Sequence, residues 1–458
     1  MKQLIIMLFI ALNCPTEAQK VFPKDNLDKV VSTLIQNYQI PNAVIAITNK
    51  DSLIYTFSTP NTTVNDVFLI GSNSKSFTAI AIGQLVDKGL IDIDKPVSYY
   101  LHWFSFTNET ADKKITIRHL LNQTSGIPGW GGFYTQNSSD FEAYQQGFSD
   151  YLKTLPAVHD VGTAFQYSNA NYVLLGLIIE KVSGKTYGDY LNEHIFSPLK
   201  MIHSFANFKN ALSNGLIKSY QYAFLLPIEA PNKEYSDFEV SSGHLASTAN
   251  DLCPYLRAVM KNTEGVGLTD SSYQRLFAAY KGKYAMGWFE KYDFGQRVLW
   301  HTGLTENFNS ALFFLPKQYG VVVLANTNSI AFNEEMKKAI VTILLNKPYS
   351  PRFSIERVQK AGIFLWCLSA LGFFFFNFYK WQKQNFAIHT PKISNLVKCL
   401  VSISLSFVPV LLIPKIVNIT LVAMIQYSPD FGYGFIVIAI FGTSSALIGL
   451  VRKKKLAA

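Results

Sequence analysis

Ser72 and Lys75 stand three residues apart in Gly71-Ser72-Asn73-Ser74-Lys75, and on one turn of helix they would meet on the same side. A serine hydroxyl is a poor nucleophile until a base takes its proton. A lysine drawn out of water has its pKa lowered enough to be that base. Further along, Tyr167-Ser168-Asn169 supplies a phenol able to relay a proton and an amide able to orient a lysine or a carbonyl. His301-Thr302-Gly303 follows Val298-Leu299-Trp300, so it lies on a strand or at its end. There Gly303 would let a substrate lie flat against the backbone, and the Leu304 N–H could help bind an oxyanion. The chemistry these groups could perform together is acyl transfer through a serine ester.

Each group alone has a plainer explanation: a serine cap before a solvent-facing lysine, an asparagine cap beside a packed tyrosine, a strand end entering a turn. The chain also repeats the short patterns elsewhere, as Ser197-Pro198-Leu199-Lys200 and Tyr190-Leu191-Asn192. Setting and order must therefore carry the argument. Asn73 to Lys88 reads as a helix closed by Gly89, with Phe77, Ile80, Ala81 and Leu85 burying one face. Ser72 sits at its N-terminal edge, where unpaired N–H groups and the helix dipole favour a developing oxyanion. Tyr167 and Asn169 lie in a polar loop entering a helix over Tyr172 to Val182. Leu27 to Tyr38 is helical in period, Ala43 to Thr48 and Leu53 to Phe57 read as strands, and Asn309 to Leu315 and Gly320 to Leu324 supply late strands. A helix over Asn333 to Leu345 follows. The expected fold class is α/β (α+β). One antiparallel sheet is built from N- and C-terminal strands and flanked by helices, with a helical insertion over about 90–240.

Five blocks in order resemble the serine β-lactamase and penicillin-binding-protein-like hydrolases, in the branch of class C β-lactamases, D-alanyl-D-alanine carboxypeptidases and related esterases. They are Ile70 to Ala79, Ile115 to Leu121 leading to Thr124-Ser125-Gly126-Ile127-Pro128, Tyr167-Ser168-Asn169, Ser242 to Thr248, and His301-Thr302-Gly303; the likeness spans about residues 20–345. The resemblance implies Ser72 as nucleophile, Lys75 as its base, Tyr167 as proton relay with Asn169 orienting, and the N–H groups of Ser72 and Leu304 as the oxyanion hole. His301, Thr302 and Gly303 line the substrate side. It leaves open whether Lys75 or Tyr167 takes the serine proton, and it makes Ser197-Pro198-Leu199-Lys200-Met201 a structural turn.

Three departures from that family matter. His301 stands where β-lactamases of this branch usually carry Lys, and a mostly neutral imidazole holds a carboxylate more weakly, which favours peptidase or esterase activity over β-lactam hydrolysis. His244 replaces a second Gly. Asn307, in Glu306-Asn307-Phe308, replaces a Gly before the Phe and could keep a left-handed turn.

The formal charge of +10 is all at one end: residues 351–458 hold twelve Lys/Arg against two acids, while residues 1–350 hold 29 of each. A neutral globular part excludes a nucleic-acid partner. The N-terminus reads as an export signal over 1–18, with Lys2, an apolar run Leu4 to Leu12 and a cleavage site at Thr16-Glu17-Ala18. Cys14, two residues after Leu12, resembles a lipoprotein cysteine, but Asn13 stands where that pattern has Gly or Ala. The catalytic part is expected over 19–350, with Cys253 its only cysteine and hence no internal disulfide. Apolar stretches over 361–379, 396–413 and 433–451 are expected to cross a membrane. Three crossings place the loop bearing Lys380, Lys383 and Lys392, and the tail Arg452-Lys453-Lys454-Lys455, in the cytoplasm with the catalytic part outside. Ile416 to Tyr427 reads as an interfacial piece.

The sequence thus points to a multi-pass membrane-tethered extracytoplasmic serine hydrolase acting on a D-amino acyl peptide or ester, with cell-wall peptide, β-lactam or ester as substrate and lipid as partner. A β-lactamase is the alternative within the class, and a non-catalytic receptor on the same fold is the alternative outside it. Neither His-x-His-x-Asp nor His-Glu-x-x-His occurs, and the chemistry calls for no metal or cofactor.

Overall fold

The structure, a computed structural model, describes residues 22–107, 113–129, 141–223, 226–232, 234–261, 263–278, 284–351, 355–383, 393–416 and 429–450. The expected export signal with Cys14, residues 384–392 of the basic loop, the interfacial piece beyond 416, and the basic tail lie outside them.

The strands are β1 (Ala43–Thr48), β2 (Leu53–Ser58), β3 (Phe68–Leu69), β4 (Ser219–Ala223), β5 (Leu226–Ala230), β6 (Ala246–Ser247), β7 (Tyr284–Ala285), β8 (Trp288–Asp293), β9 (Gln296–Leu304), β10 (Asn309–Leu315) and β11 (Tyr319–Ala325). Seven form one antiparallel sheet in the order β2-β1-β11-β10-β9-β8-β7. Its seam joins the two ends of the domain, from Ala43 opposite Ala325 to Thr48 opposite Gly320. β1 is buried along its whole length because alternate residues serve two cores. Ile45 and Ile47 pack with Leu27, Val31 and Leu34 of the Lys24–Tyr38 helix and with Met336 and Ile340 of the Ile330–Leu344 helix. Val44 and Ala46 face the helical side, which holds the Ser74–Asp87, Asn169–Ser183 and Ala249–Met260 helices.

Several boundaries differ from expectation for identifiable reasons. The Ser74–Asp87 helix is buried on every face from Ser74 to Leu85, not on one, because helices as well as the sheet enclose it. The second helix begins at Asn169, three residues before Tyr172, so Asn169 is a helical residue and Ser168 precedes it in extended conformation. The late helix begins at Ile330 because the Ser329 hydroxyl caps it, accepting from the Phe332 N–H. Within the region expected to be helical, β4 and β5 form a separate hairpin.

The C-terminal region holds helices Ile355–Gln382, Ile393–Ile416 and Pro429–Leu450. Two stretches, Val358–Gln382 and Asp430–Ile448, are long and apolar enough to cross a membrane; between them Leu396–Leu412 is a shorter apolar helix.

Candidate active site

After β3 pairs with β6, the Ile70 N–H donates to the Leu245 carbonyl at 2.9 Å and the chain turns sharply through Gly71. Gly71 has φ +54°, and a Cβ there would come within 2.3 Å of the Leu304 nitrogen. Gly303 is constrained from the same contact: its Cβ would lie 1.9 Å from the Ile70 carbonyl oxygen. The expectation that Gly303 clears room for substrate is thereby corrected, since the space it frees is taken by the Ile70 carbonyl, two residues before Ser72. Ser310 Oγ donates to that same carbonyl at 2.6 Å, and Asn73 Nδ2 donates to Ser310 Oγ at 2.7 Å. The result locks the Gly71–Asn73 turn against β9, with Gly71 packed on the Leu304 nitrogen. Ser72 is partly exposed at the entrance to the helix.

Lys75, one turn further, is 0% exposed. Its ammonium nitrogen reaches Ser72 Oγ at 3.2 Å and Asn169 Oδ1 at 2.7 Å, and it donates to the Ser242 carbonyl. The Tyr167 and Tyr172 rings flank it, with centroids 4.8 and 5.6 Å from Nζ. Among the described residues no carboxylate pairs with it. Burial without a counter-charge penalises the ammonium form, which pushes the Lys75 pKa well below the ordinary lysine range. Burial acts the opposite way on Tyr167, raising its phenol, while the Ser72 hydroxyl, close enough to hydrogen-bond it, offsets part of the rise.

Tyr167 and Asn169 owe their placement to a residue that sequence reading overlooked. Gln123, fully buried at φ +59°, accepts through Oε1 from the Ser168 N–H at 2.9 Å and from Asn171 Nδ2 at 2.6 Å. Ser168 Oγ donates to the Pro128 carbonyl, and Ser125 Oγ donates to Asn171 Oδ1. The Thr124 to Pro128 block therefore serves as the platform of the Tyr167 turn. The only sequence signal for Gln123 was its position just before that block. The Ser242 to Thr248 block likewise lends its first carbonyl to Lys75.

A model of the Beta-lactamase family matches residues 27–358. This chain belongs to the β-lactamase family of serine hydrolases. Protein flp of Staphylococcus aureus (strain MW2) is 27% identical to it over 385 residues, covering 79% of this chain and 76% of that protein. Penicillin-binding protein 4* of Bacillus subtilis (strain 168) is 26% identical over 370 residues, 74% of this chain and 80% of that one. A class C β-lactamase mutant shares the fold at a TM-score of 0.58 and 22% identity, covering 70% of this chain and 97% of its own.

Within that β-lactamase frame, the three departures resolve differently. His301 sits on β9 opposite Leu312, 2% exposed and walled by Tyr167, Tyr284 and Phe289. Nδ1 lies 2.7 Å from the Thr302 carbonyl and Nε2 3.4 Å from the Tyr284 hydroxyl. Burial pulls its pKa down to about 3, so it is neutral across the physiological range. Thr302, half-buried, and Leu304 flank it on the same strand. His244 stacks on the Tyr235 ring at 3.9 Å, and Tyr235 donates to Glu306 at 2.6 Å. Asn307 is not left-handed, contrary to expectation. It is buried, and Nδ2 donates to Ser219 Oγ and the Pro231 carbonyl, both at 2.9 Å, tying the β9–β10 turn to the β4–β5 hairpin. The two decoys fall elsewhere: Ser197 lies exposed before a turn with Lys200 at φ +57°, and Tyr190 is buried with its hydroxyl on Gln84. Among the described residues no group of three His, Cys, Asp or Glu could hold a metal.

Proposed function

We propose that this protein is a membrane-anchored, extracytoplasmic serine hydrolase that acts through a Ser72 acyl-enzyme on a D-amino acyl peptide or ester. The observation that carries the reading is Lys75: buried, without a carboxylate, and 3.2 Å from the Ser72 hydroxyl. Neutral Lys75 takes the Ser72 proton as Oγ attacks the substrate carbonyl, and the Ser72 and Leu304 N–H groups stabilise the oxyanion. One such donor is typically worth ~3 kcal/mol. The leaving amine or alkoxide takes its proton through Tyr167, and water then releases the acyl group with Lys75 again accepting a proton. The opposite pKa directions of the two groups favour Lys75 over a Tyr167 phenolate as the base. Asn169 holds the lysine in place.

Neutral His301 supports a peptidase or esterase over an efficient β-lactamase, because it offers no cation to a substrate carboxylate. For the membrane part, the packing supports three crossings. Cys367 meets Gly434 and Asn377 meets Ser445, so the first and third helices run parallel. Between two parallel crossings the chain must return, and Ile393–Ile416 is the helix that does so. The catalytic domain then lies on the side where the first helix begins, with the basic loop and tail on the other.

The test is covalent labelling of the full chain in detergent with a fluorescent penicillin and a fluorophosphonate. Wild type is expected to label and Ser72→Ala not to; equal labelling would sink the assignment. Turnover of D-alanyl-D-alanine peptides or small esters separates the enzyme from a receptor on the same fold, which would bind without releasing product.

A further inference from the structure

The β4–β5 hairpin lies where the catalytic domain meets the membrane helices. Its buried face carries Tyr222, whose hydroxyl donates to the Tyr38 carbonyl and whose ring supports the Lys360 ammonium at 3.7 Å. Lys360 lies near the start of the first apolar stretch, and Asp430 begins the other; the two are buried together, 3.4 Å apart. Three elements thus converge at one level: the starts of two parallel helices and the far end of the hairpin, where Tyr222 pairs with Pro227 and Ala223 with Leu226. A buried charge pair is a device of register more than of stability, and here it fixes that level.

The opposite face of the hairpin is open at its far end, where Ala223 pairs with Leu226 and Gln221 with Ile228. Leu226 is 63% and Ile228 53% exposed, two positions apart on one strand and therefore on one side. The strand's only ionised side chain, Glu229, pairs with Lys218 at the base of the hairpin, away from the end. An exposed apolar face beside the water-side ends of membrane helices fits the boundary between headgroups and acyl chains.

We propose that Leu226 and Ile228 insert into the lipid interface, making the hairpin a second membrane contact for the catalytic domain. The occupant is the bilayer itself, because the far end of the hairpin lies beside the starts of the helices that enter it, where Tyr222 meets Lys360 and Lys360 meets Asp430. The consequence reaches the site: the hairpin base and the residue after it, Ser219 and Pro231, are the partners of Asn307, three residues beyond Leu304. Lipid thereby steadies the turn that follows the oxyanion strand.

This inference rests on the reading that the C-terminal helices cross a membrane, and the test separates the two. Single nitroxide labels are placed at Leu226→Cys and Ile228→Cys, at Phe375→Cys on the first helix, and at Ile202→Cys on the exposed surface, in full-length protein lacking its other cysteines. The proteins are reconstituted into phosphatidylcholine vesicles, and collision rates with oxygen and a water-soluble nickel complex are compared. Phe375 is expected to favour oxygen strongly, Leu226 and Ile228 several-fold over Ile202, and Ile202 to favour nickel. If Phe375 favours oxygen but both hairpin labels match Ile202, the hairpin proposal alone is overturned. If Phe375 also matches Ile202, the membrane reading fails and takes the proposal with it.

Discussion

Lys75 and Lys337 lie on opposite faces of the central sheet, and both are buried. On the helical face Lys75 has amide, hydroxyl and carbonyl oxygens around it and no carboxylate partner among the described residues. On the other face Lys337 is 2% exposed but pairs with Glu334 at 2.8 Å and rests on the Trp300 ring at 3.2 Å. Burial lowers both pKa values. For Lys337 the Glu334 charge opposes that burial and leaves it at about 8, while burial of Lys75 is opposed by no such charge and pushes it well below the ordinary lysine range. Neutral oxygens satisfy the hydrogen bonds of an amine without fixing its charge, whereas a carboxylate fixes the charge. Surroundings more than burial separate the proposed base from a structural cation.

The largest effect that could break this contrast is a pair of substitutions. Lys75→Met is expected to slow acylation by a fluorescent ester about 10²- to 10⁴-fold, the usual worth of general base catalysis, and Lys337→Met by no more than a few-fold. Equal losses would dissolve the distinction. The acylation rate of wild type should fall as pH drops through the lowered Lys75 pKa, because protonation removes the base.

The next effect is on stability. His301 titrates near 6.5 when unfolded and about 3 when folded, so between those values the unfolded chain binds more protons. The contribution of its neutral burial is complete above 6.5 and is lost as pH falls towards 3. Denaturant midpoints should show that slope, and His301→Gln should flatten it; an unchanged slope would mean that His301 is not the titrating group.

A smaller effect sharpens the role of the amide beside Lys75. Asn169→Ala is expected to lower kcat about tenfold, equivalent to ~1.4 kcal/mol, and to move the acid limb to lower pH. The Oδ1 acceptor stabilises the protonated lysine, so its removal depresses the pKa further while freeing the amine to wander. A rate loss without a shift of the limb would mean that Asn169 acts on the substrate and not on Lys75.

Much of the fold was legible because its signals are local. The apolar runs Ala43–Thr48 and Asn309–Leu315 became strands with those bounds, and the sheet does join the two ends of the domain. What stayed hidden depends on contacts between distant residues. The β4–β5 hairpin lacks the alternation of a half-buried strand because Leu226 and Ile228 of β5 are exposed. Gln123 carries no chemical signal of its own, and its function comes from two hydrogen bonds to residues about 45 positions away. Gly303 was read as room for a substrate and Asn307 as a left-handed turn, but the structure uses one for a backbone contact and the other for a pair of side-chain hydrogen bonds.

By itself the sequence determined the inventory: a serine and a lysine one turn apart, a tyrosine and an asparagine on a second turn, a His-Thr-Gly strand, and apolar segments at the C-terminus. Those follow from side-chain type and short spacing, which the chain fixes without folding. Tertiary structure decided the charges. Whether Lys75 is a base, whether His301 carries a proton, and why Lys337 stays a cation depend on solvent exclusion and on which oxygens come within hydrogen-bonding distance, and those are set only when the two ends of the sheet close around the helices.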